Sequence, residues 1–378
     1  MFRVCILVRV LWAGGPQRIA FAEAKYLRSA SIDTDLVFLR KTTRTPNDYA
    51  SSSFVIHSDL SKRKVWFHKI FRLITKHYNE GRGEDATVDL DLVFDYERKS
   101  PHYDVVIYFD QFTSIFSIIR KVKSKFIKVV YIHETAFREN SIIKKVIERF
   151  SLMGSDMIFT NSESNRLFLL GAGYKNVEVL FPGLYLKESV VDFEMRENIA
   201  VAVTVWEPWR SPETYLEIAK YLSGVKIILV GQWAEENYML QIQNLIAKNQ
   251  LQDKISITGQ VSEAELDRLY SKAKVAIRFG YDEQGPGMGS LESISFGIPV
   301  IVNESIGMAN FLRTFGYDLI VGKEDPEQIA DMICNLTSNE GLWKKYSQKI
   351  RDIAKNATWE IHGKKLVDTL GNLVDQKL

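Results

Sequence analysis

From Asp282 to Glu292 the chain reads Asp-Glu-Gln-Gly-Pro-Gly-Met-Gly-Ser-Leu-Glu, placing glycines at 285, 287 and 289 and a carboxylate at 292. Glycines at a helix entrance let backbone approach a ligand closely. The unpaired N–H groups of a helix start favour a diphosphate through hydrogen bonds and the macrodipole. Glu292 falls about one turn into that helix, where a carboxylate can accept two hydrogen bonds from a ribose diol. The same residues also make an ordinary glycine-entered structural helix, so the loop alone leaves both readings open.

A second glycine turn, Leu11-Trp12-Ala13-Gly14-Gly15-Pro16, leads from an apolar run into a helical pattern. Gly14 and Gly15 can offer N–H groups to phosphates there. Asp33 and Asp35 lie about 20 residues on, as a dinucleotide fingerprint asks, but Pro16 and the missing third glycine argue against that ligand. His133 follows the apolar run Val129–Ile132, so it projects at a strand end, able to hydrogen-bond a sugar hydroxyl or support developing charge. Glu134 beside it and Asp110 after Val105–Phe109 are carboxylates available to an acceptor hydroxyl, or strand-end caps. Residues 62–78 set Trp66, Phe67, Ile70, Phe71, Leu73, Ile74 and Tyr78 at helical spacing among six cations. This basic amphipathic helix suits peripheral contact with an anionic membrane and a lipid-linked acceptor, or packs its apolar face on the core.

These groups need a scaffold, and the apolar pattern supplies it. Strands are expected at residues 3–10, 36–39, 105–109, 128–132, 157–160 and 177–181, and again at 199–204, 226–230, 255–258, 275–279, 299–302 and 319–321, with helical patterns between most of them. Alternation of this kind builds doubly wound parallel sheets, whose ligands sit beyond the carboxyl ends of the strands. Pro182-Gly183 and the polar stretch 187–197 divide the series into two α/β domains facing a cleft. A chain of 378 residues suits two such cores. Residues 1–190 hold 29 Lys and Arg against 21 Asp and Glu, and residues 191–378 hold 20 against 26, so the halves carry opposite charge although the total is +2. The near-neutral total and absent RNA motifs argue against nucleic acid. Cys5 and Cys334 have no metal or disulfide spacing. The first apolar run is short for a secretory signal and no run reaches the ~18 residues of a membrane span, so a cytoplasmic protein is expected.

Gln284-Gly285-Pro286-Gly287, Glu292 eight positions on, and Ser293-Ile294-Ser295-Phe296-Gly297-Ile298-Pro299-Val300 resemble the hallmark of glycosyltransferase family 4, E-G-F-G, seven residues between two glutamates, then E-A-x-A-x-G-x-P-V. Gly14-Gly15-Pro16-Gln17-Arg18 is similar to the family's G-G-x-x-R loop, His133-Glu134 to its H-D/H-E pair and Asn161-Ser162 to its N-S. Val203–Glu217 is similar to its G-R-L-x-x-x-K-G segment, and Ile257–Ser262 to its "flG-x-v" turn. The resemblance implies the GT-B fold, two Rossmann-like domains: 1–187 with a returning helix at about 358–378 for the acceptor, and 198–357 for the donor. It implies a retaining hexosyltransferase of polysaccharide or glycoconjugate biosynthesis that uses a nucleotide sugar and a glycan or lipid-linked acceptor. No cofactor or metal is implied, so the DxD spacings Asp33-Thr34-Asp35 and Asp89-Leu90-Asp91 are set aside. Carried onto this chain, the catalytic set is His133, Glu283, Gln284 and Arg210. The donor set is Gly14, Gly15, Arg18, Arg210, Gly285, Gly287, Met288, Gly289 and Glu292, and Asp110 and Glu134 face the acceptor. The departures are Gln284 for the first glutamate, Pro286 for phenylalanine, and Val205 for the first of the paired cations whose second is Arg210. Alternatives on the same scaffold are a sugar-nucleotide epimerase or phosphorylase, and a degenerate, non-catalytic subunit that binds sugar nucleotides.

Overall fold

The computed structural model describes residues 2–11, 14–41, 54–57, 86–110, 112–133, 142–187, 191–281, 283–322 and 325–377. The amphipathic stretch 62–78, Glu134 and Asp282 lie outside the described residues. By contacts the chain divides into one unit of Met1–Leu180 with His362–Leu378 and a second of Phe181–Ile361.

In the first unit the strands are β1 (Arg3–Leu11), β2 (Asp33–Lys41), β3 (Val55–Ile56), β4 (Val105–Phe109), β5 (Ile127–Ile132), β6 (Met157–Thr160) and β7 (Val177–Val179). They form one parallel sheet in the order β3-β2-β1-β4-β5-β6-β7. Every residue of β4, β5 and β6 is buried. Helices on both faces cover such strands, which is why they read as continuous apolar runs. The order reverses between β1 and β4, so the crevice of this sheet opens at their carboxyl ends.

The second unit repeats the plan with β8 (Glu197–Val203), β9 (Lys226–Val230), β10 (Ile255–Gly259), β11 (Ala273–Arg278), β12 (Val300–Asn303) and β13 (Ile320–Val321). Its parallel order is β10-β9-β8-β11-β12-β13, with the reversal between β8 and β11.

The division falls earlier than the boundary read from the linker, and hydrogen bonds give the reason. Leu184 N–H donates to Ala357 O at 2.8 Å and Trp359 N–H donates to Leu184 O at 3.1 Å, stitching residues after Leu180 into the second unit. A β-carbon on Gly183 would lie 2.6 Å from the Trp359 backbone, so the two segments touch only because Gly183 has none. The last helix, Trp359–Lys377, returns to the first unit from His362 onward. Leu366 and Leu370 are fully buried, and His362 Nε2 lies 3.0 Å from Glu23 Oε1. Burial raises the Glu23 carboxyl above its usual range, with His362 opposing the shift.

Lys128 is an unusual occupant of β5. Its Nζ donates to Ser151 O at 2.5 Å and Met153 O at 3.1 Å, caging the ammonium among the last carbonyls of the helix Ile142–Leu152. Burial pulls its pKa down to about 7, with Lys121 adding to the shift.

Two outcomes follow from these contacts. A Gly363→Ala side chain would meet the Tyr26 ring at 2.3 Å. The variant should lose about 1–3 kcal/mol in thermal or denaturant unfolding, the usual cost of overpacking. A lysine whose folded pKa is depressed leaves the unfolded state holding more protons between pH 7 and 10.5, so its contribution to stability rises with pH there and flattens below pH 7. Urea midpoints at pH 7.5 and 9.5 should therefore rise more in the wild type than in Lys128→Met.

Candidate functional site

Where β11 ends, the chain is pinned from three directions. Gly280 takes φ 150° and accepts a hydrogen bond from Asn303 Nδ2 at 2.7 Å. Tyr281 N–H donates to Trp209 O at 3.0 Å, and Gly307 N–H donates to Glu283 O at 2.7 Å. A β-carbon on Gly307 would fall 1.8 Å from Gln284 O, so that glycine fixes how closely the loop packs. The loop then enters the helix Met288–Ser295 through Gly287 at φ 70°, with no side-chain cap and no acid in the first turn. Its opening amides therefore keep their capacity for an anion. Within this helix Ser290, Leu291 and Ser293–Ser295 are buried, whereas Met288, Gly289 and Glu292 are half-buried.

The glycines divide their labour. A β-carbon on Gly289 would sit 2.5 Å from Val203 O, so Gly289 lets the helix start press onto the end of β8. Gly287 is needed for its positive φ, and a β-carbon there would meet Glu283 Oε1 at 2.9 Å. Gly285 is buried. Ligand approach, expected of all three, is left to the backbone of 287–289.

Beneath the loop lies a group of charges. Glu283 Oε2 is 2.7 Å from Arg210 Nη1 and 2.8 Å from Arg278 Nη2, so one carboxylate oxygen is shared by two guanidiniums. Arg278 is 5% exposed, Glu283 11% and Arg210 19% in their side chains. Burial alone would raise the Glu283 carboxyl, but Arg278 and Arg210 together hold it below the usual carboxylate range. Burial lowers the Arg210 guanidinium, and Glu283 opposes that shift. Arg210 Nε and Nη1 and Arg278 Nη1 are buried without a hydrogen-bond partner among the described residues, so Arg210 meets Glu283 as an ion pair alone.

Glu283, expected as a catalytic carboxylate, is thus turned onto two arginines, and Gln284 beside it is half-buried. Arg278 was absent from the expected site. Its signal was a permanent charge closing a strand of mostly apolar residues, Ala273–Arg278.

The first unit gathers its own candidates along the carboxyl edge of its sheet. Gly14 and Gly15 begin the helix Gly15–Ser29 after β1, again without a side-chain cap, and Arg18 is exposed one turn in. Asp110 follows β4 at φ 118°, a conformation that costs a non-glycine residue energy and persists only where its surroundings impose it. Its Oδ1 accepts from Thr113 N–H at 2.7 Å. His133, after β5, is half-buried, with its ring centroid 4.1 Å from that of Tyr131 and 4.9 Å from that of Phe109. Asn161 Nδ2 donates to His133 O at 2.9 Å. The edge thus joins Gly14, Asp110, His133 and Asn161 from successive strands, Asn161 being an addition to the expected set. Asp33 and Asp35 sit at the amino end of β2, both paired with Arg3, which leaves them far from any phosphate at the carboxyl edge. Among the described residues no helix is long and apolar enough to cross a membrane.

Residues 187–357 match the family model described as Glycosyl transferases group 1, nearly the whole of the second unit. The chain is 28% identical over 120 residues to the O-antigen chain mannosyltransferase RfbU of Salmonella typhimurium, covering 31% of this chain and 33% of that protein. It is 22% identical over 231 residues to an uncharacterized glycosyltransferase of Methanocaldococcus jannaschii, covering 56% of this chain and 64% of the relative. The chain therefore spans less than two thirds of either curated relative. The structure of Anabaena Alr3699/HepE in complex with UDP and glucose superposes with a TM-score of 0.73 at 13% identity, covering 98% of this chain and 100% of that one. Sucrose-phosphate synthase from Thermosynechococcus elongatus gives 0.75 at 16% identity over the full length of both. The fold is GT-B.

Because Gly289 has no room for a β-carbon, Gly289→Ala should displace the helix start and destabilise the second unit by about 1–3 kcal/mol. A drop in denaturation midpoint with retained circular dichroism would check it.

Proposed function

We propose that this chain, whose second unit is a Glycosyl transferases group 1 domain in a GT-B fold, transfers a sugar from a nucleoside diphosphate sugar to a glycan or lipid-linked glycan acceptor. The observation that carries the reading is the uncapped helix start at Met288, beside two arginines sharing one carboxylate, at the carboxyl ends of β8 and β11. In this reading the opening amides and Arg210 take the diphosphate, and the half-buried Glu292, one turn on, takes the ribose diol. In the first unit, His133 serves a sugar hydroxyl and Asp110 and Glu134 an acceptor hydroxyl.

Transfer proceeds with retention and without a metal. The bond from the anomeric carbon to the phosphate oxygen breaks, the acceptor oxygen bonds to that carbon on the same face, and its proton passes to the leaving phosphate. Such a reaction asks the protein mainly for positioning and for positive charge where the leaving group gains negative charge. Arg210 and the amide dipoles supply that charge. A lipid-linked acceptor places the protein at the cytoplasmic face of a membrane, and formation of surface polysaccharide is the process that fits.

One observation favours a second reading, a non-catalytic sugar-nucleotide-binding subunit. Gln284 stands where the resembled family has a glutamate, and the neighbouring Glu283 is committed to Arg210 and Arg278. Turnover separates the two readings, since the binding subunit takes up donor without transfer to any acceptor.

A thermal-shift panel of nucleotide sugars should single out one donor, because a bound ligand stabilises in proportion to its affinity. With that donor, Glu292→Ala and Arg210→Ala should each lower kcat/KM at least about tenfold, roughly 1.4 kcal/mol of transition-state stabilisation. Wild-type rates in both variants would overturn the assignment.

A further inference from the structure

Arg210 alone would be a poor phosphate ligand. Its Nη1 is 2.7 Å from Glu283 Oε2, and a one-to-one ion pair offers an incoming dianion no net charge. Arg278 changes that balance. Its Nη2 meets the same oxygen at 2.8 Å, so one buried and two half-buried groups hold two positive charges and one negative. Charges in a poorly solvated setting act much more strongly than in water. Three guanidinium nitrogens, Arg210 Nε and Nη1 and Arg278 Nη1, have no hydrogen-bond partner among the described residues.

Position separates the roles of the arginines. Arg278 closes β11 and is 5% exposed, whereas Arg210 rides on the short turn Pro208–Arg210 and is 19% exposed. Glu283 is held by its backbone as well, through its carbonyl to Gly307 N–H at 2.7 Å, so it cannot follow Arg210 outward without breaking that bond.

We propose that Arg278 is a positioning residue of the donor site: it keeps Glu283 neutralised, leaving Arg210 free to bind the donor diphosphate and the group with one net positive charge. The proposal rests on the donor-site reading above and names the residue on which that site's charge depends.

The test is calorimetric titration of UDP, GDP and ADP into the full chain, the tightest ligand then serving as the probe. Arg278→Met should raise its Kd at least about tenfold, because Glu283 then neutralises Arg210, whereas Arg278→Lys should stay within about threefold of wild type. The double variant Arg278→Met/Glu283→Gln removes one charge of each sign and should return to within about threefold of wild type. A merely structural arginine predicts the opposite, a double variant no tighter than the single. In turnover, Arg278→Met should lower kcat/KM at least about tenfold, and the double variant should restore it to within about threefold of wild type. An unchanged Kd in Arg278→Met, or a double variant as weak as the single, would overturn the inference while leaving the donor site intact. Failure of the wild type to bind any of the three nucleotides would sink the donor-site reading and this inference with it. Should Arg278→Met not fold, Glu283→Gln alone decides: it must bind the probe at least as tightly as wild type, and weaker binding refutes the proposal.

Discussion

The pairing of β8 with β11 is the constraint from which the second unit's chemistry follows. Parallel strands that are neighbours in space but not in sequence send their connections away in opposite directions, so no helix covers the gap beyond their carboxyl ends. Everything chemically interesting in this unit lies at that gap. The turn carrying Arg210 follows β8, and the loop carrying Glu283 and the helix start at Met288 follow β11. Strand order thus brings together residues about 70 positions apart, Arg210 and Glu283.

Close packing then determines what each glycine does. Gly289 presses against Val203 O and Gly307 against Gln284 O, contacts that any side chain would break. These approaches hold the loop rigidly enough for the carboxylate of Glu283 to stay between two guanidiniums. The helix start nearby keeps its amides uncapped, which is costly unless water or an anion satisfies them. A rigid loop, uncapped amides and a cationic group are what a diphosphate site needs in advance of its ligand.

The first unit repeats the topology with different chemistry. Its carboxyl edge carries Asp110 in a strained conformation and His133 against Tyr131 and Phe109, with the exposed Arg18 at the start of its first helix. Among the described residues, one scaffold used twice thus presents hydrogen-bonding groups in one copy and concentrated positive charge in the other. The charges of the two halves, basic before residue 190 and acidic after it, run opposite to this local arrangement. The second unit's cationic group is therefore built by specific placement and owes nothing to its overall charge.

Much of this was legible in the amino-acid order alone. Buried parallel strands are apolar for most of their length, so runs such as Val105–Phe109, Met157–Thr160 and Lys226–Val230 matched the strands at both ends. Two-residue β3 escaped, because Val55–Ile56 lies in a polar stretch too short to show a period. The glycine entry to the 288–295 helix and the place of Glu292 one turn on were likewise local, set by residue type and helical repeat. The inward turn of Glu283, the part played by Arg278 and the stitching of Leu184 to residues 357–359 were not local. Each depends on contacts between distant segments, Gly307 to Glu283, Arg210 to Glu283 and Ala357 to Leu184, and side-chain direction in a loop follows from what packs against it. Residue types and their spacing therefore determined the fold and the candidate groups, while the balance of charge among those groups was decided only when tertiary packing put three of them on one oxygen.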